Sequence, residues 1–211
     1  MSASNLSESA RKLWPFSFGL IYSVTLNRGN LTTSLVITND GTESFDFQTL
    51  LHTYLKVKVR CFPPLPLPPA RRLPRNKPLR QGAWSQDITK VEVTGLDGAQ
   101  FVDKLDALKV KKQSAGVAIS GEVDRVYTPA GSPSEPVSVV ESGKTTYSVV
   151  RDNLNDVTVW NPWIDKAGGM ADFAPKDGYK NMICIEPGAV SGWQTLEPGD
   201  AFEGAQSITA S

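Results

Sequence analysis

Residues 16–54 read FSFGLIYSVTLNRGNLTTSLVITNDGTESFDFQTLLHTY and carry the strongest structural signal in the chain. Phe16–Leu26 is rich in aromatic and β-branched residues and ends at a polar turn, and Leu31–Thr38 then alternates with a period of two. Asn39-Asp40-Gly41 is a hairpin signal, after which Phe45–Tyr54 resumes the same period. Three such segments joined by tight turns predict an antiparallel meander.

The rest of the chain repeats this pattern of short strands separated by turn residues. Further strands are predicted at Ile88–Val93, Val117–Tyr127, Thr145–Val150, Val157–Trp160, Asn181–Glu186 and in the region Phe202–Ile208. No segment longer than about a dozen residues keeps helical periodicity, and Ser7–Trp14 has room for one short turn of helix. The sequence therefore predicts an all-β fold, a large β-sandwich.

Length and composition narrow the possible classes of protein. The chain has 211 residues, of which 40% are hydrophobic, so we expect one domain over residues 1–211 with a substantial core. Its 22 basic and 22 acidic residues balance, which argues against nucleic acid or an anionic membrane as a partner. No apolar window is long enough for a transmembrane helix, and the N-terminus lacks the apolar region of a signal peptide. Two cysteines, Cys61 and Cys184, predict free thiols and a cytoplasmic location.

Val59–Gln86 departs from the strand pattern. It holds seven prolines and six basic residues but no acidic one, so the remaining sequence has a net charge of −6. Since proline cannot donate to a strand ladder, we expect a disordered insertion, or a polyproline segment that docks an SH3-like partner. Deleting it joins two segments that read as continuous sequence, and a retained intron translated in frame would produce such an insert.

Two residues could carry proton-transfer chemistry. His52 is the single histidine, and a period of two places it on one face with Leu50 and Tyr54. Its side chain titrates near neutral pH, although a structural histidine would look the same in the sequence. Glu186 ends an apolar run just before Pro-Gly, where partial burial would raise the pKa of its carboxyl group and suit it to act as a base. An ordinary charged residue at a strand end is the alternative.

Two further features could bind a sugar. Asp124 lies in the segment GEVDRVY, where its two carboxylate oxygens could hold vicinal hydroxyl groups or form an ordinary salt bridge. Trp160-Asn161-Pro162-Trp163 is an aromatic turn that could stack on a ligand or pack in the core. No nucleotide-binding, hydrolase or zinc-protease motif is present, and the spacing of one His and two Cys predicts no metal site.

Several motifs occur together in a specific order: HTYLKV, DITKVEVTGLDGAQFVDK, GEVDRVY, TVWNPW, KAGGMADF, YKNMICIEPGAV and LEPGD. This ordered set resembles the glucose-6-phosphate 1-epimerases, the hexose-6-phosphate mutarotase branch of the aldose 1-epimerase families. The resemblance runs from about Trp14 to the C-terminus, apart from Val59–Gln86. It implies an antiparallel β-sandwich of the galactose mutarotase type.

The resemblance also implies an activity and its residues. The family interconverts the α and β anomers of a hexose 6-phosphate without a metal or cofactor. By motif match, His52 carries over as the general acid, Glu186 as the general base and Asp124 as a ligand of substrate hydroxyl groups. We expect a small-molecule substrate and a monomeric chain with no nucleic-acid or membrane partner.

The chain departs from the family pattern at its start. The family has a further N-terminal portion of strands that also carries residues for the 6-phosphate, and Met1–Leu13 cannot supply it. Loss of those strands predicts exposed apolar faces and a destabilised or aggregation-prone product. Two alternatives to an active epimerase follow: an inactive carbohydrate-binding or regulatory protein of the same fold, and an interaction protein that uses the proline-rich segment.

Overall fold

The computed structural model describes residues 1–57 and 87–211. The predictions for Val59–Gln86 lie outside the described residues. The fourteen described strands are β1 (Phe18–Asn27), β2 (Asn30–Asn39), β3 (Phe45–Leu50), β4 (Tyr54–Lys56), β5 (Val91–Thr94), β6 (Gln100–Asp103), β7 (Lys109–Lys112), β8 (Val117–Ala118), β9 (Val123–Thr128), β10 (Val137–Glu141), β11 (Lys144–Asp152), β12 (Asp156–Asn161), β13 (Met182–Leu196) and β14 (Ala201–Ala210). The helices are α1 (Glu8–Leu13), α2 (Trp163–Gly169) and three 3₁₀ turns at Ala3–Asn5, Ile88–Lys90 and Gly178–Asn181. None of these helices is long and apolar enough to cross a membrane.

The described strands form two antiparallel sheets. The first has the order β1-β2-β14-β11-β10-β5-β8. The second has the order β3-β13-β12-β9-β6-β7, and β4 also pairs with β13. The predicted meander is therefore split, because β1 and β2 pair with each other in the first sheet while β3 joins the second. The all-β sandwich predicted from the sequence is confirmed.

The main core lies between the two sheets. Fully buried valines of the first sheet, among them Val93 and Val149, belong to the same apolar cluster as Val159 and Ile185 of the second. A second cluster, rich in phenylalanine, lies under β1–β3 and includes Phe18 and Phe45. Burial of these side chains is the main favourable term for the sandwich.

One end of the first sheet is poorly covered. Among the residues that the structure describes, β1 pairs along its length with β2 and is otherwise bridged only at Gly19, by Ser2. Four of its large apolar side chains are 59–78% exposed: Ile21, Tyr22, Val24 and Leu26. A mainly apolar cavity of about 570 Å³ is lined by residues of α1 and of the strands β1, β2 and β3. The exposed apolar faces expected from the sequence are therefore present at this end of the fold.

Several predicted strands have different limits in the structure. The prediction of one strand over Phe45–Tyr54 is wrong, because residues 51–53 interrupt the ladder between β3 and β4. Val117–Tyr127 is also two strands rather than one, and Ile88–Val93 begins as a 3₁₀ turn. Strands β6, β7 and β10 and helix α2 were not predicted, since their short segments lack a clear period.

Candidate active site

The register of the second sheet places His52 opposite Glu186. Leu50 pairs with Gly188 and Tyr54 pairs with Cys184, so β3 and β4 keep one register along β13 across the interruption. His52 falls midway between Leu50 and Tyr54, and Glu186 falls midway between Cys184 and Gly188, so the two residues lie at the same level. Side chains directly opposite in an antiparallel pair lie on the same face. A gap in the strand therefore leaves the pairing of His52 with Glu186 intact.

Strand β13 brings Glu186 to the outer face of its sheet. Ile183 and Ile185 are fully buried and point into the core between the sheets, so Cys184 and Glu186 point to the opposite face. Gly188 makes the nearby pairing with β3 possible, because a Cβ atom there would lie only 2.7 Å from the Cβ of Leu50. The sequence IEPG thus positions a carboxylate and permits close approach of the strand that leads to His52.

His52 and Glu186 are in direct contact. His52 Nδ1 lies 2.9 Å from Glu186 Oε1, with the histidine side chain 50% exposed and the glutamate 4% exposed. Among the described residues Oε1 accepts no well-aligned hydrogen bond, so this is a close contact of two ionisable groups with poor hydrogen-bond alignment. The pair joins one group that solvent or a substrate can reach to one that is shielded from water.

Burial shifts the proton affinity of both groups. It raises the pKa of Glu186 to about 7, although a hydrogen bond from the Cys184 thiol and the charge of Lys104 act in the opposite direction. Burial also lowers the pKa of His52 from its ordinary value of 6.5. Two groups this close titrate as a coupled pair. A carboxylate with a pKa near neutral suits a general base, as the sequence predicted for Glu186.

Asp124 lies on the same face of the sheet. Asp124 pairs with Trp160, which pairs with Cys184, so these three residues form one row across β9, β12 and β13. Lys104 Nζ lies 3.0 Å from Asp124 Oδ1, and the aspartate side chain is 25% exposed. The structure thus brings His52, Glu186 and Asp124 to one surface. Asp124 also forms a salt bridge, which the sequence left open as the alternative to binding sugar hydroxyl groups.

Aromatic rings frame His52. The Tyr54 ring stacks on the imidazole with centroids 4.9 Å apart and an angle of 8°, and the Trp160 ring meets it edge-on at 5.9 Å. Trp163 instead packs against the main core, where its ring lies 5.6 Å from Tyr179. Of the two tryptophans in the predicted aromatic turn, only Trp160 borders the site.

Three supporting residues had no signal in the sequence. Asn161 is fully buried and donates hydrogen bonds to the carbonyls of Tyr179 and Met182, which ties the segment after α2 to the sheet. Asp156 accepts hydrogen bonds from the backbone N–H groups of Val190 and Ser191 at 2.8 and 2.7 Å. Each is a common polar residue in a strand, and only its tertiary neighbours reveal its role.

The third supporting residue links the two sheets beneath the site. Gln206 of β14 donates hydrogen bonds to Thr33 Oγ1 and Thr53 Oγ1, at 3.1 and 2.7 Å. Thr53 follows His52, so this link fixes the segment that carries the histidine. A carboxylate and an imidazole held in this way on one open face can move protons to and from a bound molecule.

Comparison with known families identifies the family of the chain. The profile of the aldose 1-epimerase family matches residues 2–209. The chain belongs to the aldose 1-epimerase family. The family resemblance predicted from the ordered motifs is therefore confirmed, and the match begins well before Trp14.

Relatives of this aldose 1-epimerase family member point to one branch. A candidate glucose-6-phosphate 1-epimerase of Cenchrus ciliaris is 32% identical over 208 residues, which cover 97% of this chain and 54% of the relative. One from Escherichia coli strain K12 is 27% identical, with 96% and 56% covered. The chain spans about half the length of the curated relatives it matches.

Solved structures show the same fold. A candidate mutarotase from Salmonella typhimurium superposes with a TM-score of 0.72 at 24% identity, covering 97% of this chain and 57% of that one. A galactose mutarotase related enzyme from Lactobacillus acidophilus gives a TM-score of 0.66 at 17% identity, covering 100% and 66%. These likenesses confirm the predicted galactose mutarotase-like sandwich.

Proposed function

We propose that the site formed by His52, Glu186 and Asp124 interconverts the α and β anomers of a hexose 6-phosphate. The observation that carries the proposal is the 2.9 Å contact between His52 Nδ1 and Glu186 Oε1 on the face that also holds Asp124. An exposed imidazole beside a buried carboxylate is a donor and an acceptor within reach of one bound molecule. Anomerisation needs such a pair, because one proton leaves the sugar as another enters it.

The reaction starts from the form of the pair in which His52 is protonated and Glu186 is ionised. This is the less populated of the two forms that share one proton, because burial raises the pKa of Glu186 and lowers that of His52. Glu186 takes the proton of the C1 hydroxyl while His52 gives a proton to the ring oxygen. The bond between C1 and the ring oxygen breaks, and the C1–oxygen bond becomes a carbonyl. Rotation about C1–C2 exposes the other face of the aldehyde. The ring oxygen then attacks C1 from that face, His52 takes back the hydroxyl proton and Glu186 returns its proton to the new C1 hydroxyl.

In this proposal the two nitrogens of His52 have different tasks. Nδ1 faces Glu186, so Nε2 is the nitrogen that meets the ring oxygen. Tyr54 and Trp160 hold the imidazole plane by ring contacts at 4.9 and 5.9 Å. A positioned acid and base each contribute about 10²–10⁴-fold to such a reaction.

Asp124 binds the sugar rather than moving protons in this proposal. Its carboxylate has two acceptor oxygens, and the 3.0 Å contact with Lys104 engages Oδ1. Oδ2 then accepts from a sugar hydroxyl group. Glucose 6-phosphate is the proposed substrate because the relatives from Cenchrus ciliaris and Escherichia coli are candidate glucose-6-phosphate 1-epimerases.

Location and assembly complete the proposal. We propose a cytoplasmic, monomeric protein with a sugar phosphate as its small-molecule partner. The buried free thiol of Cys184 supports a reducing compartment. Fluorescence microscopy of a tagged chain tests the location, and an organellar or extracellular signal would contradict it.

The experiment that tests the function is exchange spectroscopy by NMR on the two anomers of glucose 6-phosphate. We expect cross-peaks between the two H1 signals to build up faster with the chain than without it. His52→Ala and Glu186→Ala should each abolish that increase, while binding of the sugar phosphate persists. Sugar binding without any increase in exchange by the unmodified chain would instead identify an inactive carbohydrate-binding protein of this fold.

A further inference from the structure

The same face holds a third side chain that acid–base chemistry does not use. Cys184 is fully buried beside Trp160 and Met182, and its Sγ lies 3.9 Å from His52 Nδ1. His52, Cys184 and Glu186 each offer one metal-ligand atom, and these three atoms lie within 4.8 Å of one another. The spacing of these residues along the chain does not predict this cluster.

We infer that His52, Cys184 and Glu186 form a binding site for zinc or a similar soft divalent cation, which blocks the catalytic pair when it is occupied. Imidazole nitrogen, thiolate sulfur and carboxylate oxygen are the ligands that zinc prefers in proteins. Three protein ligands with an open fourth position are also typical of zinc sites that remain open to solvent. The half-exposed His52 leaves that fourth position on the side of solvent.

The distances fit a tetrahedral ion. With zinc bonds of about 2.0–2.3 Å, neighbouring ligand atoms in a tetrahedron lie about 3.3–3.6 Å apart. The two measured separations, 3.9 Å from Sγ to Nδ1 and 2.9 Å from Nδ1 to Oε1, lie on either side of that range. The third pair, the thiol sulfur and the carboxylate oxygen, lies within 4.8 Å, so side-chain rotation has to draw the ligand atoms together as the ion binds.

The hydrogen bonding of Glu186 leaves room for a further ligand. Oε1 of Glu186 is buried yet accepts no well-aligned hydrogen bond among the described residues, and its side chain is only 4% exposed. A buried carboxylate oxygen without such a partner is costly, and a bound cation would satisfy it. The ion would replace the close contact between Nδ1 and Oε1, and the thiol proton would pass to solvent as the thiolate binds.

The site therefore couples metal binding to the proposed reaction. An ion that holds His52 Nδ1 and Glu186 Oε1 takes both groups from proton transfer, so it excludes anomerisation while it is bound. The inhibition rests on the proposed function, but the metal binding does not. Metal binding is tested by the absorption of a bound ion, and the proposed function is tested by anomer exchange of the metal-free chain.

Cobalt(II) provides the direct test, because a thiolate bound to cobalt gives a charge-transfer band in the near ultraviolet. The chain is purified with a chelator in a Cys61→Ser background, so that Cys184 is its single thiol. We expect the band on titration with cobalt and its loss on adding zinc in excess. Cys184→Ala and Cys184→Ser should each remove the band, with folding checked by circular dichroism. Glu197→Gln, which changes an exposed carboxylate, should leave it unchanged.

Measurement of the zinc affinity shows how much Cys184 contributes to binding of the ion. Loss of the thiolate should weaken zinc binding by about 100-fold or more, since even residues that only support a metal ligand contribute about 10–100-fold. Absence of the cobalt band in the Cys61→Ser chain would overturn the inference, as would a band that persists in both Cys184 variants. A band in the cobalt-loaded chain, together with no catalysed anomer exchange by the same chain kept free of metal with a chelator, would support the metal site and contradict the proposed function instead.

Discussion

His52 and Glu186 should behave as one catalytic unit, and a double-mutant cycle measures this. The variants are Glu186→Gln, His52→Ala and the two combined. Each single change removes one of the two groups that exchange protons with the sugar, so we expect each to lower the catalysed exchange rate by about 10²–10⁴-fold. At a factor of ten per 1.36 kcal/mol, a 10³-fold loss is about 4 kcal/mol of transition-state stabilisation.

The 2.9 Å contact determines what the double variant should do. If the pair works only when both members are present, removing the second adds little, and the double variant should lie within about tenfold of the slower single variant. Independent groups would instead multiply to a loss of about 10⁴–10⁸-fold. The non-additivity is thus at least about 1.4 kcal/mol and is easily measured.

The assay is the slope of the exchange rate of glucose 6-phosphate against the concentration of the chain, which removes the spontaneous rate. Glu197→Gln is the matched control, because it makes the same substitution at an exposed position on the turn after β13. It should retain the slope of the unmodified chain. Losses that multiply in the double variant would refute the reasoning, and so would a Glu197→Gln variant as slow as Glu186→Gln.

Three further predictions concern the scaffold. Asp156→Asn should lower the free energy of unfolding by about 2–4 kcal/mol, because a buried charged acceptor of two backbone N–H groups is lost. Urea titrations measure this. A change within 0.5 kcal/mol, which is about the effect of a surface substitution, would contradict the prediction. Burial raises the pKa of Asp103, but hydrogen bonds from Lys111 and a backbone N–H, with nearby positive charge, outweigh it and lower the pKa below 3.8. Asp103→Asn should therefore cost stability at pH 7 but much less as the pH falls below 4, and a cost independent of pH would be inconsistent with this cause. Val24→Lys should reduce aggregation of the monomer on heating, measured by light scattering, because Val24 lies on the exposed apolar edge strand β1. A heated unmodified chain that scatters no more light than Val24→Lys would show that this edge does not drive aggregation.

The fold was predictable where the sequence repeats a clear period. Strands β1, β2, β11, β12 and β14 were predicted to within a few residues, since each alternates over several positions and ends at turn residues. The short strand β6 and helix α2 escaped because neither holds a period long enough to recognise. The split of β3 from the first two strands was also hidden, because the sequence shows that strands exist but not which sheet each one joins.

The site was predictable in its residues but not in its assembly. Motif order indicated His52, Glu186 and Asp124, and the structure brings all three to one face. Their proximity depends on the register of β3 and β4 on β13, which no local pattern encodes. The same holds for Cys184, whose place beside His52 follows from that register, and for Gln206, whose link to Thr53 crosses between sheets.

The central claim is that His52 and Glu186, acting as a pair, catalyse the opening and closing of a sugar ring. The exchange rate between α- and β-glucose 6-phosphate at equilibrium tests this claim most directly. We predict a rate that rises in proportion to the concentration of the chain, with a slope that is about 10²–10⁴-fold lower in Glu186→Gln. A rate equal to the spontaneous one at every concentration of the folded, unmodified chain would contradict the claim.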